Sequence, residues 1–169
     1  MLIGNSLKAF GEYVVKQSRT NLTKKDKNVS KELYNSIKYD YKVSKNSFEL
    51  TISMADHGKF IDKGVKGSES AQKAPSSPFS YKKGINNKPS SKHFDKWIVK
   101  RGFSPRNSKG QFTTRKGIAI AISYKVWREG IKTTNFFTTP FEAAFKRLPD
   151  ELIEAYGLDV DNLIKSSLL

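Results

Sequence analysis

The feature that most constrains the fold is a pair of short runs in which apolar and polar residues alternate. The runs Ile37–Val43 and Phe48–Met54 alternate strictly, and the polar tetrapeptide Ser44–Ser47 separates them. A period of two places every second side chain on the same face of a strand, so each run predicts a strand with one buried face. Two such runs around a short polar connection predict an antiparallel β-hairpin.

Amphipathic helices are predicted on both sides of this hairpin. Leu7, Phe10 and Val14 recur at spacings of three and four, which favours a helix over residues 2–20. Further helices are predicted from a Ser30 cap through Tyr34, at Lys92–Lys100 and at Gly117–Glu129, the last with Gly130 as its C-cap.

The C-terminal part predicts two linked helical segments. Thr138 or Thr139 can cap a helix with Pro140 in its first position, Pro149 would restart it, and Gly157 would end it. The predicted fold class is therefore α+β, with an N-terminal helix and a small antiparallel sheet packed by C-terminal helices.

The chain length suits a single domain over residues 1–169. Residues 1–64 would form the helix and hairpin, 65–115 a long basic loop region with one short helix, and 116–169 the C-terminal helices. Residues 65–91 are rich in Ser, Lys, Gly, Asn and Pro and show no periodicity. A connection of this length is expected to be functional or ordered only by a partner.

Positive charge is concentrated before residue 141. The chain has 31 Lys and Arg against 16 Asp and Glu, a net charge of +15, of which residues 1–140 carry +18 and residues 141–169 carry −3. The basic part could face a polyanion, most obviously DNA. Alternatively, the acidic end of one copy could meet the basic face of the next. A solvated basic surface without a specific partner is the third interpretation.

Eight basic residues in the two loops are predicted to contact DNA or a protein partner. They are Lys82, Lys83, Lys88, Lys92, Arg101, Arg106, Lys109 and Arg115. Phe79, Tyr81 and Phe94 lie among the lysines, as aromatic residues do in proteins that bind single strands by stacking. The interpretation favoured here is a solvated lysine-rich loop whose aromatic residues anchor it to the core.

Catalytic and metal-binding constellations lack their residues. The chain has no Cys and only two His, and its acids before residue 141 are scattered, so neither a metal site, a cofactor nor an enzyme is predicted. A metal-dependent nuclease stays a minor alternative, which would need a cluster of carboxylates in the fold. No run is long and apolar enough to suggest a membrane span, so no membrane partner is expected.

Two segments resemble a known family. Met54–Gly67 follows the hairpin directly, and Gly117–Phe137 combines a helix, a glycine and a threonine–aromatic turn before the last helix. In this order the segments resemble the tail-completion and minor-tail proteins of tailed bacteriophages, which join head and tail at the neck. The second segment also resembles uncharacterised tail proteins of phages that infect Bacteroidetes. The likeness covers about residues 33–156, with a gap at the long loop, and 65–115 is longer and more basic than the family pattern.

The resemblance implies a structural virion protein that is made in the host cytoplasm and located in the neck or tail. Its partners would be other copies in a ring of six or twelve, the adjoining connector (portal-side) and tail proteins, and double-stranded DNA that is contacted without sequence preference. A DNA-binding accessory protein of the phage is the alternative. The positions that match the family's structural turns are Gly58, Phe60, Ile61, Asp62, Gly64, Gly130, Phe136 and Phe137.

Overall fold

The computed structural model describes residues 2–44, 47–104, 106, 109–148, 150 and 152–153, and the fold is α+β as the sequence predicts. Six α-helices, one 3-10 helix at Ile85–Asn87 and four strands are assigned in these ranges. The helices are α1 Leu2–Lys24, α2 Glu32–Ser36, α3 Gly58–Lys63, α4 Lys92–Lys100, α5 Arg115–Glu129 and α6 Thr138–Phe145. The strands are β1 Lys38–Ser44, β2 Ser47–Ser53, β3 Val65–Lys66 and β4 Gly130–Ile131.

The chain forms two compact units. Unit 1 consists of residues 1–25, 33–55 and 136 onward, and unit 2 consists of residues 26–32 and 56–135. The hairpin of β1 and β2 belongs to unit 1, and the small ladder of β3 and β4 belongs to unit 2. The prediction of one folding domain over 1–169 stays a prediction.

Unit 1 is built on the predicted hairpin. β1 and β2 pair antiparallel, and the pairs Tyr39↔Ile52, Tyr41↔Leu50 and Val43↔Phe48 lie on one face. Helices α1 and α6 share a core in which Phe10, Val14, Ala144 and Leu148 are buried and Leu50 and Ile52 pack from the sheet. The alternation that predicts the hairpin therefore supplies the apolar face on which α1 rests.

A glycine lets α1 approach the hairpin closely. Gly11 lies in the middle of α1, where glycine is normally unfavourable, and a Cβ there would lie 2.4 Å from the ring of Tyr39. The missing side chain makes room for the aromatic ring.

Unit 2 joins α4 to α5 through a core of Ile98, Ile118 and Ala119, with Phe94 and Trp97 packed against it. Thr114 caps α5 by accepting a hydrogen bond from the Gly117 amide, so the helix begins at residue 115, two residues before the predicted start.

The two strands β3 and β4 close unit 2. Val65 pairs with Ile131 and Lys66 with Gly130 in antiparallel register. Gly130 has a φ of 81°, and a Cβ on it would lie 2.1 Å from the Val65 carbonyl oxygen. A Cβ on Gly64, whose φ is 72°, would lie 2.6 Å from the Ile131 carbonyl oxygen. Both turns therefore require glycine, because the two backbones leave no room for a side chain.

Two predicted details are wrong. Pro140 is the third residue of α6, whose N-cap is Phe137, and neither Thr138 nor Thr139 caps the helix. Proline is compatible with this position because the amides of the first turn have no partner within the helix. The short helix predicted after a Ser30 cap is α2, which spans Glu32–Ser36 and so begins one residue later than that cap implies. The predicted roles of Pro149 and Gly157 lie outside the described residues.

Replacing Gly130 by alanine should be much more costly than the same change at Gly110. Both have positive φ, but a Cβ at Gly110 meets nothing within 4 Å. We expect Gly110→Ala to lower the free energy of unfolding by about 1 kcal/mol from left-handed strain alone. Gly130→Ala should cost roughly 3 kcal/mol or more, since β3 must also move. Equal losses in urea unfolding would contradict a close approach at Gly130.

Candidate interaction surface of unit 2

Unit 2 carries most of the net charge. Residues 26–32 and 56–135 hold 20 Lys and Arg against seven Asp and Glu, which gives +13 of the chain's +15. All eight basic residues that the sequence singles out lie in this unit. The positive charge of the chain is therefore concentrated in unit 2, whose field favours anions over cations.

The loop after β3 forms hydrogen bonds within its own chain, so of the two expected alternatives, a functional loop or one ordered only by a partner, the second is wrong. The Lys66 amide donates to Phe79 O, and the Tyr81 amide donates to Lys66 O, both at 2.9 Å. Farther along the loop, the Trp127 indole Nε1 donates to Lys82 O at 3.0 Å, and the Ser123 hydroxyl donates to Pro89 O. Because these bonds involve mainly backbone groups, the sequence pattern of the loop gives no sign of them.

Two ion pairs tie the start of this loop to the end of α5. Arg128 Nε lies 2.7 Å from Glu69 Oε2, and Lys73 Nζ lies 2.8 Å from Glu129 Oε2. The hydrogen bond from Lys73 holds the pKa of Glu129 below its ordinary value, and the hydrogen bond to Glu69 raises the pKa of Arg128. All four side chains are exposed, so each pair contributes little alone.

The three predicted arginines form hydrogen bonds or ion pairs with other residues of unit 2. Arg101 bonds to the Asp26 carboxylate and, at 2.7 Å, to the Asp26 carbonyl oxygen. Its guanidinium also lies 5.6 Å from the centre of the Trp97 ring. Arg101 therefore fastens the segment after α1 to α4, and its guanidinium is already engaged.

The other two arginines have local partners. Arg106 donates to Gly110 O at 2.8 Å and lies 4.0 Å from the centre of the Phe112 ring. Arg115, the first residue of α5, pairs with Asp95 of α4 at 2.7 Å. Their planar, multi-donor groups suit such fixed contacts better than a lysine ammonium would.

The predicted lysines are mostly exposed. Lys82, Lys83, Lys92 and Lys109 lie on the surface. Lys88 is half-buried, with Nζ 3.4 Å from Ser123 Oγ and 4.6 Å from the centre of the Tyr124 ring. Ser123 is fully buried and donates to Pro89 O, so this Ser–Lys pair stabilises the loop and does not present a nucleophile to a substrate.

The structure adds two lysines to the predicted set. Lys92, Lys96 and Lys100 are spaced four residues apart on α4, and all three are exposed. We call them the α4 lysine stripe; it extends about 12 Å along the helix. None of the three forms an ion pair within the described part of the chain. The spacing in the predicted helix could have identified Lys96 and Lys100.

The predicted turn residues have packing roles in both units. Phe60 of α3 lies against Phe79 in an edge-on contact, and the Asp62 carbonyl oxygen accepts hydrogen bonds from the Thr134 and Asn135 amides. Gly58 and Asp62 are buried, and Ile61 is half-buried with its carbonyl oxygen bonded to the Thr134 hydroxyl. Phe136 and Phe137 belong to unit 1, where Phe136 is fully buried and Phe137 stacks on Phe141.

Comparison with protein-family models, with curated proteins and with solved structures found no match. Within the described residues, no three His, Cys, Asp or Glu side chains gather as a metal site would require. Glu69 and Asp95, two of the acids that a nuclease would need, are paired with arginines. No helix in the described ranges is long and apolar enough to cross a membrane.

The Lys73–Glu129 pair should make the stability of the fold vary with pH in the acid range. Because the pKa of Glu129 is lower in the folded chain than its ordinary value of 4.5, the pair stabilises the fold above that pH. The stabilisation is lost as pH falls through the folded pKa. In Glu129→Gln, the melting temperature should fall less between pH 5 and about pH 3 than it does in the wild-type chain. Glu142→Gln, which removes an exposed glutamate of unit 1, is the control, and an equal flattening there would contradict the assignment.

Removing lysines from α4 should affect DNA binding more than removing paired arginines. We expect the chain to bind duplex DNA without sequence preference and less tightly as salt rises. Lys96→Gln with Lys100→Gln should reduce the slope of log affinity against log salt by up to about 2. Arg106→Gln with Arg115→Gln removes the same charge but should change the slope little. Fluorescence anisotropy measures both, and equal effects would show that the arginines also face DNA.

Proposed function

We propose that this chain is a structural protein of a tailed phage virion, a ring-forming subunit at the head–tail junction or in the tail. Copies would surround the channel through which DNA passes and contact the connector and tail proteins on either side. The chain acts by binding and carries no catalytic chemistry in this proposal.

The observation that carries the proposal is the association of the two family-like segments. Met54–Gly67 and Gly117–Phe137 lie about fifty residues apart in the sequence, yet β3 of the first pairs with β4 of the second. The Thr133 hydroxyl also donates to Lys63 O at 2.8 Å, and the Thr134 hydroxyl to Ile61 O at 2.6 Å. The glycines and threonines of the two segments therefore share one structural role, which is to hold the segments together. This supports the likeness as one of fold.

The charge distribution agrees with a role beside DNA. A unit of net charge +13 that presents lysines on an exposed helix can lie against phosphates without reading sequence. Lysine ammonium groups remain hydrated point charges and hold DNA loosely, whereas arginine forks bind phosphate in fixed geometry. An exposed lysine surface with internally paired arginines therefore suits a channel that DNA must leave.

The proposal is tested in the phage that encodes the chain. A stop codon at Trp97 should yield DNA-filled heads and separate tails, seen by electron microscopy, with few joined particles. Supplying the intact gene on a plasmid should restore joining. Mass spectrometry of purified wild-type particles should find the chain at six or twelve copies per virion. Normal particles from the mutant, or absence of the chain from virions, would overturn the proposal.

A second candidate function is a DNA-binding accessory protein, and the α4 lysine stripe favours it. This function predicts that the isolated monomer binds duplex DNA tightly at physiological salt. The ring subunit predicts weak binding by the monomer, with affinity that rises on assembly because several copies contact one duplex. Anisotropy titrations at protein concentrations below and above assembly separate the two.

A further inference from the structure

An open groove with a mixed lining lies at one end of the α4–α5 pair, where Ser104 and Thr113 add polar groups to exposed apolar side chains. It has a volume of about 400 Å³ and is lined by the exposed side chains of Val99, Phe103 and Phe112, with Ile98 and Ile118 in the core beneath. Phe112 is 66% exposed, Val99 56% and Phe103 50%, which is unusual for large apolar residues that lie together. Arg115 also lines the groove, and Lys100 and Lys116 are sequence neighbours of its lining residues.

The end of the same chain has complementary composition. Residues 154–169 contain three acids, Glu154, Asp159 and Asp161, against one lysine, and seven large apolar residues. The sixteen residues could reach up to roughly 50 Å if extended, which is enough to cross to a neighbouring molecule. A segment that is both acidic and apolar complements the exposed apolar residues of the groove and the basic residues at its rim.

We propose that residues 154–169 of one copy bind the α4–α5 groove of the next copy. The inference rests on the proposed ring, because a copy that offers one segment and one groove makes a head-to-tail contact that can close into a ring. The apolar residues would cover Val99, Phe103 and Phe112, and Asp159 and Asp161 would face the basic rim. The contact would use Lys100 of the α4 lysine stripe and leave Lys92 and Lys96 available to DNA.

A charge exchange between two full-length variants tests the contact. One variant carries Lys100→Glu and Lys116→Glu, two exposed lysines without an ion pair among the described residues. The other carries Asp159→Lys and Asp161→Lys. In sedimentation velocity, each should need about tenfold more protein than wild type to reach half assembly, because attraction becomes repulsion. An equimolar mixture should assemble at lower concentration than either variant alone, since opposite charges then meet.

The matched control is Lys82→Glu with Lys83→Glu. It reverses the same charge in unit 2, near Trp127 and therefore roughly 15 Å along α5 from the groove. It should assemble as wild type does. Phe112→Ser tests the apolar part, and it should weaken assembly while leaving the melting temperature almost unchanged, because the ring is largely exposed.

Several results would overturn the inference. One is unchanged assembly of the Asp159 and Asp161 variant, and another is a mixture that assembles no better than either variant alone. A third is a lower melting temperature without a change in sedimentation, which would indicate that the segment binds within its own copy. A wild-type chain that stays monomeric at all concentrations would also reject it. The particle experiment is separate, because a chain found in virions whose variants assemble normally keeps the proposed function and loses only this contact.

Discussion

The close approach of two backbones at β3 and β4 is the constraint on which unit 2 depends. Gly64 and Gly130 adopt positive φ, and the neighbouring Gly67 would place a Cβ 2.0 Å from the Arg128 carbonyl oxygen. Three glycines thus allow the chain after α3 to lie directly against the end of α5. The backbone amide and carbonyl groups of Lys66 also form hydrogen bonds with the loop, at Phe79 and Tyr81. A short ladder therefore fixes a loop that has few buried apolar residues of its own.

The arginines and lysines of unit 2 have different roles, which follow from the chemistry of their side chains. Arg101, Arg115 and Arg128 each join two segments that are distant in sequence, through carboxylates of Asp26, Asp95 and Glu69. Most lysines of the unit remain at the surface, where the long side chain keeps its hydration and its rotamer freedom. Positive charge in unit 2 therefore has two uses, and total net charge does not distinguish them.

The sequence predicts the elements whose signal is local. Alternation gave the hairpin within one residue, and the spacing of apolar residues gave α1, α4 and α5. Periodicity does not predict β3 and β4, because two-residue strands are too short to show it and their pairs join positions 66 and 64 residues apart. The partners of the arginines are missed for the same reason, since Asp26 and Arg101 lie 75 residues apart. The α4 lysine stripe could have been predicted from the sequence, because the four-residue spacing of its lysines in a predicted helix is enough to define it.

The hairpin of unit 1 has a further consequence for behaviour at high protein concentration. It is a sheet of only two strands, and no other described strand pairs with either of them. Each strand therefore has a free row of backbone donors and acceptors, to which a strand of another molecule could add. Lys38, Asp40 and Lys42 project from the exposed side of β1, so an added strand would lie beside closely spaced charges. Such charges disfavour the open-ended growth of aggregates by strand addition. Association is then favoured at surfaces whose contacts are completed once a closed assembly has formed.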